Sequence, residues 1–254
     1  GLCFSPMINA KVAAANPAYR ARVFATCAED RPLAVQLAGS DPETVLAAAR
    51  HFEAAADIVD LNFGCPQQIA RRGNYGAFLL EQEDAVEALV RHLAAHLARP
   101  LACKVRVFED AERTLRLARR LEAAGCQLLT VHGRTRFQNK QRVGAADWEL
   151  IARICRAVAI PVILNGGVEA LVDARRALAE TGCAGVMSGE GILASPALFD
   201  EHPADPDALV AEYLALARSH PDQPAFVKPH LFKLLFPALQ LHTDLRDQLA
   251  AALT

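Results

Sequence analysis

Strand-length apolar runs alternate with helical stretches along most of this chain, and no other feature constrains its fold as tightly. Pro32–Gly39, Asp57–Gly64, Leu101–Phe108, Cys126–Gly133, Pro161–Gly167 and Ala184–Gly191 are rich in Val, Ile and Leu and bounded by turn-forming or polar residues, as buried strands are. Asp41-Pro42-Glu43 is a capped helix start with proline in the first turn, and its helix runs towards Ala56. Glu83–Leu97 carries apolar residues at Val86, Leu89, Val90, Leu93 and Leu97, near the 3.6-residue period, and Ala111–Ala124 is amphipathic and ends at Gly125. Stretches around Trp148–Val158 and Leu171–Glu180 complete the helical series. Near-continuously apolar strands separated by helices make a parallel sheet, most simply a TIM-type (β/α)8 barrel. An open doubly wound sheet is the alternative, but no G-x-G-x-x-G follows the first strand.

With the run Cys3–Ile8, closed by Pro6, the strands number seven and end near residues 8, 38, 64, 107, 132, 165 and 188. A closed barrel needs eight and often binds phosphate after its last two. Asn165-Gly166-Gly167 and Ser188-Gly189-Glu190-Gly191 are glycine turns whose backbone N–H groups can approach an anion, which makes them the seventh and eighth strand ends. The strand missing from the count is then the first, and the barrel reads as N-terminally truncated. Ala10–Cys27 is mixed, with one helix near Tyr19–Phe24, and Gln67–Gly76 reads as a polar, basic loop. After Pro203 the strands cease, and Asp207–Ser219 and Ala225–Ala252 are helical. The expected organisation is a barrel over residues 1–203 and a partial helical domain over residues 204–254.

Composition excludes some classes. The net charge of −2 gives no bulk attraction to nucleic acid, so RNA binding would need a local basic patch. Seven scattered cysteines with no C-x-x-C pair suit reduced thiols better than a disulfide framework or a zinc site. No apolar run is long enough to span a bilayer, and no metal site is expected.

The chemistry gathers at the strands' C-terminal ends. Gln36, Asn62 with Cys65, Lys104 with Arg106, His132 with Arg134, and Asn165 lie on different strands but at the same end, so a barrel would converge them on one pocket. Cys65 follows its strand in a stiff Gly64-Cys65-Pro66 turn. Amides, a cation, an imidazole, a thiol and a phosphate cradle suit a phosphorylated planar cofactor, with Lys104 stabilising negative charge on a ring that accepts electrons. Each residue alone has a plainer reading: a buried amide, an edge lysine, a structural histidine, a turn. Together they favour a site. Cys3, Cys27, Cys103, Cys126, Cys155 and Cys183 are read as packing residues.

The combination Asp60-Leu-Asn-Phe-Gly-Cys-Pro66 with Gly73-Asn-Tyr-Gly76, Val35-Gln36, Lys104-Val-Arg106, Val131-His-Gly-Arg-Thr135, Asn165-Gly-Gly167 and Gly185-Val-Met-Ser-Gly-Glu190 with Pro196-Ala-Leu-Phe199 resembles the tRNA-dihydrouridine synthase family. Gln67–Gly73, Ser188-Gly-Glu190 and His230-Leu-Phe-Lys233 are most similar to the eukaryotic branch acting on D-loop positions 16 and 17. The resemblance implies an FMN barrel with a tRNA-binding helical tail, reduced by NADPH or NADH, acting in the cytoplasm or nucleus with no obligate protein partner. It implies that reduced flavin passes hydride to C6 of a uridine and that Cys65 protonates C5, a role for which an ordinarily protonated thiol is suited. It gives Gln36, Lys104 and His132 to the flavin ring, and Asn165, Gly166, Gly167, Gly189 and Glu190 to its phosphate. Asn62, Arg71, Arg72, Arg106, Arg134, Lys228 and Lys233 are candidates for the tRNA. Pro6-Met7 matches the family's second strand end, not its flavin-lining Pro-Met. An FMN oxidoreductase of a free pyrimidine and a non-catalytic RNA-binding relative are the alternatives.

Overall fold

The computed structural model describes residues 1–139, 143–202, 204–221 and 223–252, and the expected boundary residue Pro203 lies outside them. The chain forms two compact units, Gly1–Gly166 with Ala177–Met187, and Gly167–Arg176 with Ser188–Thr254.

In chain order the first part comprises β1 (Cys3–Phe4), β2 (Ile8–Asn9), α1 (Ala10–Ala15), α2 (Pro17–Val23), β3 (Leu33–Ala38), α3 (Pro42–Arg50), β4 (Ile58–Phe63), α4 (Gln68–Arg72), α5 (Glu83–His96) and β5 (Leu101–Arg106). It continues through α6 (Ala111–Ala123), β6 (Leu128–His132), α7 (Trp148–Ala157), β7 (Val162–Asn165), α8 (Leu171–Thr181) and β8 (Gly185–Met187). All ladders are parallel, in the order β1, β3, β4, β5, β6, β7, β8, with β2 also paired to β3. This is the TIM-type α/β architecture expected from the alternation. Among the described residues no ladder joins β8 to β1 or β2, so the sheet has two free edges.

β1 and β2 occupy one strand position on β3, interrupted at Pro6, which has no N–H to offer. Ser5 bridges the gap: its N–H donates to Ala34 O at 2.9 Å, and its Oγ accepts from Gln36 N–H at 2.9 Å. Asp41 caps α3 as expected, accepting from Thr44 N–H at 2.9 Å.

Register sorts the strands into two faces. Val35, Leu37, Val59, Leu61, Phe63, Cys103, Val105, Leu129, Val131, Val162 and Leu164 share one face, and all are buried. On the other face each strand begins apolar (Ala34, Ile58, Ala102, Leu128, Ile163) and turns polar further along, at Gln36, Asp60, Asn62, Lys104, Arg106, Thr130, His132 and Asn165. The sheet therefore buries one face and turns polar at the C-terminal end of the other.

Three local expectations differ. Residues 10–23 form two short helices, because Asn9 caps the first and Asn16 both ends it and caps the second. The expected loop after Cys65 contains α4 and a 3-10 turn, Gly76–Glu81. The helical tail is broken into α9 (Glu190–Ala194), α10 (Pro206–Ser219), α11 (Pro224–Leu234), α12 (Phe236–Leu241) and α13 (Thr243–Ala251), all in the second unit. No helix of the described residues is long and apolar enough to cross a membrane.

Candidate active site

At the top of β4 the chain is tied by side chains rather than by more ladder. Asn62 Oδ1 accepts from the N–H groups of Gly64, at 3.1 Å, and Cys65, at 2.9 Å. Gly76 then closes on the turn with φ of +62°, so near that a Cβ there would lie 2.7 Å from the Cys65 carbonyl oxygen. Ala77 N–H donates to that same oxygen at 3.0 Å. The Cys65 side chain is partly buried and packs with Met7 and Phe78 around Ala38, Ala70 and Tyr75. The main chain of Cys65 is thus held at both its N–H and its carbonyl.

The neighbouring amides are linked. Asn62 Nδ2 donates to Gln36 Oε1 at 2.7 Å, and Gln36 Nε2 donates to Asp60 Oδ2 at 2.7 Å. Asp60 is fully buried and its Oδ1 has no partner among the described residues. Burial pushes its carboxyl up to about 7, against the opposing pull of the Gln36 hydrogen bond and the Lys104 charge.

Lys104 Nζ donates to Asn165 Oδ1 at 3.0 Å, and Asn165 Nδ2 donates to Met187 O at 3.0 Å. Burial pushes the Lys104 ammonium down to about 8, opposed by Asp60 and reinforced by Arg106. His132 is held far lower, at about 3, by burial and by the charges of Lys104, Arg106 and Arg134, so it is a neutral imidazole at physiological pH. Arg134 Nη1 lies 3.3 Å from His132 Nε2, which a guanidinium can meet only as donor, so Nδ1 carries the ring proton. Gly166, at φ +103°, sits against that ring edge, where a Cβ would come within 2.9 Å of His132 Cδ2.

The structure brings Gln36, Asn62, Lys104, His132 and Asn165 onto one face, with Cys65 in the turn that follows Asn62. Arg106 shares the face, but its guanidinium is spent on the fold: Nε donates to Gly64 O at 2.7 Å and Nη1 to Thr135 O at 2.9 Å. Arg134 also donates, through Nε, to Gly144 O at 3.0 Å. Arg71 and Arg72 end α4 and are exposed. A cavity of about 290 Å³ lies at this end, lined by Arg106, Phe108, Arg113, Thr135, Arg136 and Phe137.

Gly167, Gly189, Glu190, Lys228 and Lys233 belong to the second unit. There Lys233 Nζ pairs with Glu190 Oε2 at 2.5 Å, and Lys228 Nζ donates to the carbonyls of Ala250 and Ala252 at 2.5 and 2.8 Å. No Cβ at Gly189 would meet anything within 4 Å. Both lysines line a cavity of about 960 Å³ with Phe232, Phe236, Leu239 and Arg246.

Sequence reasoning passed over Asp60 and Thr130. Both stand two residues before a chosen residue in a strand, and so on its face, which was the available signal. The Thr130 hydroxyl, like Asp60 Oδ1, is buried without a partner among the described residues. No group of three His, Cys, Asp or Glu side chains there could hold a metal ion.

The sequence model of the dihydrouridine synthase (Dus) family matches residues 1–235. A Mus musculus protein described as tRNA-dihydrouridine(16/17) synthase-like, NAD(P)+ type, is 45% identical over all of this chain and 54% of its own length. The Schizosaccharomyces pombe tRNA-dihydrouridine(16/17) synthase is 37% identical over all of this chain and 67% of its own, and that of Saccharomyces cerevisiae 37% identical over 98% and 63%. The chain spans little more than half the length of the mouse relative.

Proposed function

The chain belongs to the dihydrouridine synthase family, and on that premise we propose that it reduces the C5–C6 double bond of uridine in the tRNA D-loop, at positions 16 and 17, using FMN and NADPH or NADH. The observation that carries this reading is one polar face that ends beside a clamped turn: Gln36, Lys104, and the register pair His132 and Asn165 at successive levels of that face, and the main chain of Cys65 fixed between Asn62 and Gly76.

The donors on this face fit a flavin ring. Among the described residues Lys104 commits one of its three N–H donors, to Asn165. His132 is neutral with its Nδ1 proton in place, and Asp60 Oδ1 and Thr130 Oγ1 are buried polar atoms without partners. Gln36, Lys104 and His132 would hold the ring. Within the same proposal Asn165 and Gly166 of the first unit remain phosphate candidates, and so, taken separately, do Gly167, Gly189 and Glu190 of the second. When bound, reduced FMN would supply a hydride to C6.

The rest falls to this chain. Cys65 holds a proton at Sγ for C5, and its clamped backbone limits where that proton can be delivered. Lys104 offers positive charge next to the ring without leaving the sheet. Arg134 orients His132 and has further guanidinium N–H groups for the base. Arg106 keeps the Cys65 turn in place through Gly64, and acts on tRNA only through it. Exposed Arg71 and Arg72, with Lys228 and Lys233 of the tail, are the candidates for the RNA backbone. In this reading residues 1–203 are the catalytic barrel and residues 204–254 the tRNA-binding helical part.

The test is to incubate the purified protein with FMN, NADPH and an unmodified tRNA transcript, and map dihydrouridine by mass spectrometry. Dihydrouridine at positions 16 or 17 is expected. Cys65→Ala should still pass electrons from NADPH to flavin but lose uridine reduction about 100-fold or more. Reduction of free uracil or orotate with none in tRNA would overturn the proposal in favour of a free-pyrimidine enzyme.

A further inference from the structure

A carboxylate can only accept hydrogen bonds, whereas a carboxamide can face either way. That asymmetry gives direction to the polar chain behind Cys65. In its ionised form, which prevails above about pH 7, Asp60 Oδ2 obliges Gln36 to present its NH2, at 2.7 Å. Gln36 must then offer Oε1 to its other neighbour, which obliges Asn62 to present its own NH2, also at 2.7 Å. Asn62 is left with Oδ1 towards the turn, where it accepts from Cys65 N–H at 2.9 Å and Gly64 N–H at 3.1 Å. If Asn62 were reversed, its NH2 would meet those two N–H donors and the turn would lose both bonds; if Gln36 were reversed, its NH2 would meet that of Asn62 and its oxygen the Asp60 carboxylate.

We propose that Asp60 is a positioning residue: through Gln36 and Asn62 it fixes the amide orientations that hold the main chain of Cys65 in place. This rests on the proposed role of Cys65 and adds to it a group that does not touch the substrate. The geometry favours a built device over incidental burial. Asp60 is fully buried, in register with Gln36 on the adjacent strand, and two residues before Asn62 on the same face. No other carboxylate takes part in the chain of bonds. Asp60→Asn keeps the shape but lets position 60 present either oxygen or NH2, so the direction is then imposed only from the turn, by the Gly64 and Cys65 N–H groups.

The test uses the purified protein without flavin or tRNA, so its outcome is independent of the enzymatic reading. Iodoacetamide labelling of Cys65 is followed by peptide mass spectrometry, with exposed Cys3 as internal reference. Asn62→Ala removes the last link with both its bonds to the turn and should speed Cys65 labelling roughly fivefold or more, fivefold being the effect of one net hydrogen bond. Asp60→Asn should speed it by a smaller but measurable factor, about twofold, while Cys3 is unchanged. In the Asn62→Ala background Asp60→Asn should add nothing, because its route to Cys65 is already cut. Two outcomes would overturn the proposal. One is that Asp60→Asn leaves Cys65 labelling unchanged. The other is that it multiplies the rate equally in both backgrounds, the mark of general loosening. If the labelling pattern holds but tRNA is not reduced, the positioning role stands and the proposed reaction falls.

Discussion

Gly76→Ala should damage the first unit more than an alanine placed at a glycine of nearly the same backbone conformation. Gly76 and Gly182 have φ of +62° and +67°, a region that disfavours any L side chain by about 1–2 kcal/mol. At Gly182 a Cβ would meet nothing within 4 Å, so Gly182→Ala should cost only that. At Gly76 the Cβ would lie 2.7 Å from the Cys65 carbonyl oxygen and 3.0 Å from its Cβ. Both are backbone or near-backbone atoms, and the oxygen already accepts from Ala77 N–H, so the strain cannot be absorbed by a rotamer change. Overpacking of that kind adds about 1–3 kcal/mol, for a total of about 2–5 kcal/mol. Trp148 is the single tryptophan and lies in the first unit, so its fluorescence in urea reports that unit alone. Below their unfolding midpoints, Gly76→Ala should also lose uridine reduction while Gly182→Ala keeps it. Equal destabilisation by the two substitutions would mean that Gly76 does not clamp Cys65, and the account of a Cys65 main chain held at both its N–H and its carbonyl would be wrong.

Three further outcomes are expected. Arg106→Met should destabilise the first unit by about 3 kcal/mol by stranding the Gly64 and Thr135 carbonyls, and Arg106→Lys should recover little, since a lysine lacks the fork; urea midpoints followed at Trp148 check both, and full rescue by lysine would refute the forked role. His132 sits at about 3 when folded, below its ordinary value, so stability is lost as pH falls from about 6.5 through the folded value. His132→Gln should therefore gain on the wild type between pH 7 and pH 5, and parallel pH profiles of the urea midpoint would contradict the buried neutral imidazole. Lys228→Met should leave the carbonyls of Ala250 and Ala252 without their ammonium and speed amide exchange in α13 about fivefold, with exchange in β4 to β6 unchanged.

The parallel sheet, the helix order and the strand ends were legible because apolar periodicity and glycine or proline punctuation are local signals, and parallel burial repeats them six times over. Less legible were features set by a single capping side chain. Asn9 and Asn16 each accept from an N–H three residues on, which makes two helices of a stretch whose composition suggested one. At the site, the sequence marked Gln36, Asn62, Lys104, His132 and Asn165 as polar residues at strand ends. It did not say what each guanidinium holds. Arg106 and Arg134 look equivalent as sequence, yet the first bonds backbone carbonyls of Gly64 and Thr135 while the second divides between Gly144 O and the His132 ring, and that depends on loop paths that no periodicity encodes. Asp60 escaped notice because a lone acid inside a strand announces nothing until the partner strand's register puts Gln36 beside it.

That partner also bears on why the sheet keeps such a residue. Burial drives Asp60 and Lys104 in opposite directions, to about 7 and about 8, each towards its neutral form. Two groups so displaced from their ordinary values contribute less to stability than an apolar pair of similar volume would. The same face shows that an apolar filling is available, since Ala34 and Ile58 lie below Asp60 and Ala102 and Leu128 lie level with it. The change from apolar to polar occurs at the C-terminal end of the strands, where chemistry is placed in this fold, and nowhere on the helix-facing side. Stability alone would have continued the apolar rows upward. A carboxylate that orders two amides, and an ammonium kept short of full hydration, are better accounted for by what they hold in place: the turn bearing Cys65 on one side and an electron-accepting ring on the other.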